Sequence, residues 1–316
     1  MSDHALSRQA ITSAFDTIDP VFLNTPQFEL DALNDTLGLR LVLKVETLNP
    51  IRSFKGRGTD LFVAQHASEG PFVCASAGNF GQGMAYACRK RKIPLTVFAA
   101  ETANPLKLER MRRLGATVTL EGRDFDAAKA AAKSYAEKND FVFVEDSRDP
   151  ETATGAGTIG LELSRYPEPL DTVLVPLGNG ALINGIGAWF KTTAPNTKII
   201  GVVAAGAPSM DLSWRQGEVV TTETADTIAD GIGVRVPVPE ALDAMHHTVD
   251  DILQVTDEDI LEVMRLAHRM AGVVLEPAGA IGLAAAKVYA DKFAGQLVAT
   301  PLCGSNLTEE QIELWL

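Results

Sequence analysis

The stretch Ser53-Phe54-Lys55-Gly56-Arg57-Gly58 places one lysine between an apolar segment and the glycines of a predicted helix. The residues before it, Leu41 to Glu46, alternate in polarity as a strand does, and Asn49-Pro50 predicts a turn. Lys55 is therefore expected at, or just inside, the start of a helix that runs through Ala64. At that end the helix dipole disfavours a protonated amine, which would suit Lys55 to act as a nucleophile towards a carbonyl.

The same segment has a second interpretation, because three basic side chains occur close together. Arg52, Lys55 and Arg57 would also fit an exposed basic loop. Taken alone, the segment favours that loop. The choice between the two depends on what the remainder of the chain supplies.

Length and composition indicate a two-domain globular protein. The chain has 316 residues, 46% of them hydrophobic and 22% charged, which allows a substantial core in each domain. The net charge of −13 disfavours nucleic acid or an anionic membrane as partner. Three scattered cysteines predict no disulfide framework and favour a reducing cytoplasm. The first twenty residues contain no apolar core, so neither a signal peptide nor an anchor is expected.

Strand-like and helix-like segments alternate along most of the chain. Predicted strands are Leu41 to Glu46, Pro71 to Ala75, Leu95 to Ala100, Thr117 to Leu120, Phe141 to Glu145, Thr172 to Leu177, Ile199 to Ala204 and Leu297 to Leu302. Helices are predicted between them, with Thr158 to Tyr166 as the helix before Thr172 and a less regular stretch from Gly206 to Val238. Strands separated by helices indicate βαβ units, and therefore an α/β fold with parallel sheets.

Glycine-bearing turns after two of these strands are the clearest candidates for ligand binding, because amide groups and helix dipoles converge at such places. The first is Ser76-Ala77-Gly78-Asn79, whose hydroxyl, side-chain amide and main-chain amides could hold a carboxylate or phenolic oxygen. The second is Gly178-Asn179-Gly180-Ala181-Leu182, which predicts a phosphate cradle.

A dinucleotide-binding fingerprint is the competing interpretation of the second turn. It requires a third glycine where the chain has Ile183, and an acidic residue after the strand Ile199 to Ala204, which ends apolar. A smaller phosphate therefore fits this turn better. A third turn, Cys303-Gly304-Ser305-Asn306, is by itself more typical of a buried structural cysteine.

Other charged residues give weaker signals. Arg110, Arg112 and Arg113 are interpreted as a solvated helix face. Glu276, beside a proline, fits a helix cap or a packing role. Histidine and cysteine spacings predict no metal site.

Taken together, the motifs resemble those of the serine/threonine dehydratase (ammonia-lyase) family of pyridoxal phosphate enzymes, of the tryptophan synthase β-like fold type II. The resemblance covers nearly the whole chain in the family's order and rests on Lys44-Val45-Glu46, Asn49-Pro50, Ser53 to Gly58, Ser76 to Asn79, Gly178 to Leu182, Ala229-Asp230-Gly231, Glu276 to Ala280 and Cys303-Gly304.

The resemblance implies a role for each turn. Lys55 would carry pyridoxal 5'-phosphate and remove the substrate's α-proton, with Phe54 behind the cofactor ring. Ser76, Ala77, Gly78 and Asn79 would bind the substrate carboxylate, and Asn79 would also meet the phenolic oxygen. The phosphate would lie on Gly178, Asn179, Gly180, Ala181 and Leu182, and Cys303 would face the pyridine nitrogen. The family pattern also makes a carboxylate of Glu276 near the cofactor as plausible as its capping role.

It also implies an organisation and a reaction. Residues 1–65 and 146–316 would form a large cofactor-binding domain, residues 66–145 a small mobile domain, and the cofactor would lie between them. The expected reaction is β-elimination from a 3-hydroxy amino acid of the serine, threonine, 3-hydroxyaspartate or 3-phenylserine type, giving a 2-oxo acid and ammonia. A homodimer or other homo-oligomer is expected.

Alternatives within the same fold stay open at this point. A β-replacement enzyme or threonine synthase would use the same lysine and phosphate turn. A racemase would carry a serine where this chain has Ala77, so racemisation is expected to be weak. Phe80 and the Ile51-Arg52 pair also depart from the family pattern beside the side-chain pocket.

Overall fold

The computed structural model describes residues 6–316, so the first five residues of the predicted large domain lie outside the described part of the chain. Two sheets organise it. The strands are β1 (Gln27–Glu29), β2 (Arg40–Val45), β3 (Phe72–Ala75), β4 (Leu95–Ala99), β5 (Thr117–Leu120), β6 (Val142–Val144), β7 (Thr172–Pro176), β8 (Lys198–Ala204), β9 (Asp251–Val255) and β10 (Leu297–Leu302).

Helices connect and cover these strands. They are α1 (Arg8–Thr17), α2 (Asp31–Leu37), α3 (Lys55–Gln65), α4 (Asn79–Arg91), α5 (Pro105–Arg113), α6 (Phe125–Asn139), α7 (Pro150–Leu163), α8 (Ala181–Thr193), α9 (Ser209–Gln216), α10 (Pro239–Thr248), α11 (Asp257–Ala271), α12 (Pro277–Val288) and α13 (Glu309–Trp315). Short 3₁₀ turns occur at Pro20–Phe22, Asp230–Ile232 and Ala290–Phe293.

The larger sheet has the strand order β1-β2-β10-β7-β8-β9 and the smaller one β5-β4-β3-β6. All neighbouring strands pair in parallel except β1, which runs antiparallel to β2. Every residue of β7 and β10 is buried, as expected where helices cover both faces of a parallel sheet. The predicted α/β fold with two mostly parallel sheets is confirmed.

The smaller sheet lies between Phe72 and Val144, inside the predicted small domain of residues 66–145. The domain boundaries and the mobility of that domain stay predictions.

Several elements differ from the sequence prediction. β1, α2, α9, α10, β9 and α13 were not predicted, and α7 begins at Pro150 rather than Thr158. The early turns of α7 read Thr-Ala-Thr-Gly-Ala-Gly, a composition with low helix propensity. They are helical because they are buried between other helices.

Close helix packing explains two of those small residues. A Cβ atom added to Gly155 would lie 2.5 Å from the Cα of Gly58 on α3, and one added to Gly185 on α8 would lie 2.2 Å from the carbonyl oxygen of Ala153. No side chain fits at either crossing. Helix α7 is therefore in direct contact with both α3, which has Lys55 at its start, and α8.

A buried network of charges anchors the first turn of α3. Arg57, with a side-chain exposure of 0%, donates hydrogen bonds to both carboxylate oxygens of Glu46, at 2.8 Å each, and to Glu162 at 2.7 Å. Lys44, 1% exposed, donates to Glu162 at 2.5 Å. Thr25 and Thr158 contribute hydroxyl groups to Arg57. Because two positive and two negative charges meet here, the four side chains are neutral as a group.

The network determines the ionisation of its members. Burial alone would raise the pKa of Glu162, but hydrogen bonds and charge from Arg57, together with the charge of Lys44, outweigh burial and hold that pKa at about 2. Burial lowers the pKa of Lys44 despite the attraction of Glu46 and Glu162. Arg57 and Lys44 thus keep Glu162 ionised despite its burial.

Removing one member should therefore destabilise the protein strongly. We expect Arg57→Met to lower the free energy of unfolding by about 3–5 kcal/mol, since buried Glu46 loses its paired guanidinium and buried Glu162 loses one of its two cationic partners. Thermal and denaturant unfolding would measure the change. The matched control is Arg269→Met, which removes an exposed arginine of α11; equal effects of the two substitutions would contradict the anchoring role.

Low pH should weaken the contribution of the same network to stability. Because the pKa of Glu162 is held at about 2 when folded, against an ordinary 4.5, its charged form contributes about 3 kcal/mol above pH 4.5. That contribution is lost as the pH falls towards 2. The difference in unfolding free energy between wild type and Glu162→Gln should accordingly be largest near neutral pH and shrink below pH 4.5. A pH-independent difference would argue against this assignment.

Candidate active site

Lys55 is the first residue of α3, at the position the sequence predicted. The residues before it are tied to the turn after β10: Ser53 and Gly304 form an isolated bridge, and the amide of Phe54 donates to the carbonyl of Cys303 at 3.1 Å. The exposed-loop interpretation is wrong for this segment, because Lys55 is only 18% exposed and Arg57 is fully buried. Of the three basic residues, Arg52 alone is exposed.

Asp146 is the immediate partner of Lys55. Its Oδ2 accepts a hydrogen bond from the lysine Nζ at 2.6 Å, while its Oδ1 is buried and has no hydrogen-bond partner among residues 6–316. The lysine Nζ also lies 4.9 Å from the centre of the Phe54 ring, a cation–π distance. The carboxylate, the amine and the ring therefore meet just beyond the end of β6 and at the start of α3.

The predicted Ser76 to Asn79 turn follows β3 and opens α4. The Ser76 hydroxyl oxygen accepts hydrogen bonds from the amides of Gly78, at 3.1 Å, and Gly81, at 3.0 Å. The amides of Ala77, Asn79 and Phe80 have no acceptor within the described part of the chain. These donors at a helix start could bind an anionic group.

Asn79 connects this turn to the far side of the site. Its Nδ2 donates to Glu276 Oε1 at 2.5 Å, and its Oδ1 accepts from Asn306 Nδ2 at 2.7 Å. Burial raises the pKa of Glu276. Glu276 stands at the N-terminal cap position of α12 but makes no capping hydrogen bond, so of its two interpretations the structure supports the carboxylate within the site.

The Gly178 to Leu182 turn follows β7 and opens α8. None of its five amides donates to an acceptor in residues 6–316. Gly180 has a φ of +99°, which L side chains rarely adopt, and a Cβ atom on Gly178 would lie 3.2 Å from the carbonyl oxygen of Gly231. The turn therefore presents five free amide donors, and its backbone requires glycine at positions 178 and 180.

Cys303 is buried beside the lysine segment. Its Sγ donates to the carbonyl oxygen of Ala278 at 3.5 Å, and burial raises the pKa of its thiol. Ala278 lies close to Gly231, which in turn packs against Gly178. The structure thus links the predicted phosphate turn, the cysteine turn and the lysine.

This donor set suits pyridoxal 5'-phosphate. The free amides of Gly178 to Leu182 can bind a phosphate, and Lys55 supplies an amine that can join the aldehyde. The unpartnered Oδ1 of Asp146 and the free amides beside Asn79 leave polar capacity for cofactor and substrate.

A family model described as "Pyridoxal-phosphate dependent enzyme" matches residues 18–304. The chain belongs to that family. It is 36% identical over 312 residues to the L-threonine ammonia-lyase of Thermotoga maritima, covering 98% of this chain and 77% of that protein.

Solved structures agree with this assignment. The processed form of threonine deaminase isoform 2 from Solanum lycopersicum superposes with a TM-score of 0.90 at 29% identity, covering 99% of this chain and 93% of that one. Maize serine racemase superposes with a TM-score of 0.91 at 26% identity, covering 98% and 97%. The predicted family, fold type II and cofactor are confirmed.

No helix within residues 6–316 is long and apolar enough to cross a bilayer. Sequence reasoning missed Asp146 and the partners of Arg57, and it assigned no role in the site to Asn306 or Arg110. Asp146 could have been found, because it follows a parallel strand just as the three predicted turns do.

Arg110 corrects one sequence interpretation. Arg112 and Arg113 are exposed as predicted, but Arg110 is half-buried and donates a hydrogen bond to Asn306 Oδ1 at 2.7 Å. It faces the site rather than solvent.

The phosphate turn can be tested through its glycine geometry. We expect Gly180→Ala to weaken cofactor binding, because an L residue is strained at φ +99° and its Cβ would lie 3.1 Å from that of Ala241. Fluorescence titration of the apoprotein with pyridoxal 5'-phosphate would measure the dissociation constant.

The control is Gly217→Ala at the end of α9. It imposes similar backbone strain at φ +76°, with no atom within 4 Å of the new Cβ. If both variants bound the cofactor as wild type does, the turn would not be the phosphate site.

Proposed function

We propose that this enzyme is an ammonia-lyase that converts a 3-hydroxy amino acid into a 2-oxo acid and ammonia by β-elimination. The observation that carries the proposal is the placement of Lys55 at the start of α3. The two residues before it are bonded to Gly304 and Cys303, and its amine is paired with Asp146. Contacts of Gly304 with Asn79, and of Cys303 with Ala278 and so with Gly231 and Gly178, connect this segment to both turns of free amide donors. The relatives named L-threonine ammonia-lyase and threonine deaminase support the same reaction.

The bound cofactor would supply an electron sink for the charge that develops when the α-proton leaves. Lys55 is the residue to which it would be joined, and its amine is also the base for the α-proton. The tie between Phe54 and Cys303 fixes the lysine backbone, so only the flexible side chain has to move during this exchange.

Asp146 gives the proton on Lys55 a fixed location. Its Oδ2, 2.6 Å from Nζ, can hold the lysine ammonium after the α-proton has been taken. From there the proton can pass to the hydroxyl that leaves Cβ as water. Asp146 is thus proposed as a second proton-handling residue.

The other turns would bind and orient. The amides of Ala77, Asn79 and Phe80, with the Ser76 hydroxyl, would hold the substrate carboxylate. Gly178 to Leu182 would hold the cofactor phosphate, and Cys303 would face the ring nitrogen. A thiol whose pKa is raised by burial stays neutral there, so it does not enforce protonation of that nitrogen.

Racemisation is the second candidate, favoured by the likeness to maize serine racemase. The chain has Ala77, with no hydroxyl, in the turn between β3 and α4. Without a proton donor on that side, return of a proton to the opposite face is unsupported, and elimination is favoured.

A small amino acid is the substrate class that the relatives support. The oligomeric state and the cellular location stay predictions. We expect a homodimer or other homo-oligomer and a cytoplasmic location.

The role of Lys55 has a direct test. Lys55→Ala should abolish the visible absorbance band that borohydride bleaches in the purified holoenzyme. It should also lower 2-oxo acid and ammonia release by about a thousandfold or more.

Serine, threonine, 3-hydroxyaspartate and 3-phenylserine would be screened in this assay. The control is Lys138→Ala, at an exposed lysine of α6. Full turnover by Lys55→Ala would refute the mechanism.

A further inference from the structure

Two arginines, Arg52 and Arg110, are bonded to Ser305 and Asn306, the residues that connect to the Asn79 turn. Arg110, on α5, donates to Asn306 Oδ1 at 2.7 Å, and Asn306 Nδ2 donates both to Asn79 Oδ1 at 2.7 Å and to the carbonyl oxygen of Ile51 at 2.8 Å. The Asn306 side chain therefore bridges Arg110 and the Asn79 turn. It also bridges Arg110 and the residue that precedes Arg52.

The backbone of Arg52 is held in an unusual conformation. Its φ is +53°, a left-handed value that is uncommon for a residue other than glycine, asparagine or aspartate. Its amide donates to the carbonyl of Asn49 at 3.0 Å, and its carbonyl accepts from the amide of Ser305 at 3.0 Å. Main-chain bonds on both sides thus fix this position next to the site, while the guanidinium remains exposed.

The positive charge of Arg52 acts on the guanidinium of Arg110. Burial, followed by the charge of Arg52, lowers the pKa of Arg110, and only the charge of Glu276 acts in the opposite direction. The Glu276 oxygens are already engaged by Asn79 and by the amide of Asn306.

Neither arginine forms an ion pair with any residue from 6 to 316, although acidic residues outnumber basic ones by 41 to 28 in the whole chain. For Arg110, which is half-buried, an unpaired positive charge is costly unless an anion completes it, and the exposed Arg52 adds a second charge that such an anion could meet.

We propose that Arg52 and Arg110 bind a second anionic group, on the side chain of the substrate, so that the preferred substrates are dianionic 3-substituted amino acids. The planar guanidinium matches carboxylate and phosphate oxygens in two-pronged hydrogen bonds. The substrate's α-carboxylate is assigned to the Ser76 to Asn79 amides, so the arginines are free for the other group. This inference rests on the proposed lyase function.

The simplest such substrate is 3-hydroxyaspartate. Lys55 takes the proton from Cα, the Cβ–O bond breaks, and the hydroxyl leaves with a proton as water. Hydrolysis of the released enamine uses one water and gives oxaloacetate and ammonia, with no net oxidation. In O-phosphoserine the second anionic group is the phosphate on the Cβ oxygen, and this phosphate would itself be the leaving group.

The first test compares substrates on the holoenzyme. Wild type should show a higher kcat/KM for 3-hydroxyaspartate or O-phosphoserine than for serine. In Arg110→Ala the ratio of dianionic to monoanionic kcat/KM should fall by roughly 10- to 100-fold, the effect of one lost charge-assisted hydrogen bond, and Arg52→Ala should lower it in the same direction.

The substrate with the higher kcat/KM relative to serine, 3-hydroxyaspartate or O-phosphoserine, shows whether the arginines prefer a carboxylate or a phosphate. Arg112→Ala, at an exposed arginine on the same helix, is the matched control and should leave the ratio unchanged. Thermal midpoints and the cofactor absorbance band would verify that each variant is folded and loaded.

The second test does not depend on turnover. Calorimetry on the wild-type holoenzyme should show malonate binding more tightly than acetate, and Arg110→Ala should reduce that preference roughly tenfold or more.

Equal binding of malonate and acetate, or an unchanged substrate ratio in Arg110→Ala, would overturn the proposal and assign the arginine to the α-carboxylate or to Asn306 alone. If no amino acid gives a 2-oxo acid while malonate preference is intact, the lyase assignment fails and the anion site stands.

Discussion

The fully buried guanidinium of Arg57 is the constraint on which the catalytic geometry depends. It lies two residues after Lys55, so whatever fixes Arg57 also fixes the first turn of α3. Glu46, from the end of β2, and Glu162, from the end of α7, grip it from two directions. With the glycine contact between α3 and α7, this leaves the lysine backbone little freedom. A buried charge cluster is weak evidence for stability as such, because hydrophobic residues can replace one. Here it explains why the chain has a single well-defined place for its reactive amine.

Much of the architecture was predictable because β-branched runs, glycine turns and helical segments alternate over most of the chain. The predicted strands from β2 to β8, and β10, lie within about two residues of their observed positions. The two lobes' sheet order and β9, which contains aspartate and glutamine, were not predictable in this way. The three turns of the site were recognisable because each combines a strand end with glycine or small residues.

What the sequence could not show are contacts between residues far apart in the chain. Arg57 and Glu162 are separated by 105 positions, and Arg110 and Asn306 by 196. No local pattern distinguishes a buried arginine from an exposed one, since both are flanked by ordinary helical residues. Arg57 and Arg110 were therefore first interpreted as exposed, and only the packing of the chain corrected that. Asp146 also follows a parallel strand, but its turn lacks the glycine that marks the other three turns.

All three cysteines are buried, and burial raises the pKa of Cys74, Cys88 and Cys303 alike. The thiolate is the form that oxidants and alkylating reagents attack, so these sulfur atoms are chemically protected while the chain is folded. They would survive in an oxidising medium as well as in a reducing one. Their small number consequently says little about the compartment, and labelling of these thiols would instead report how often the fold opens.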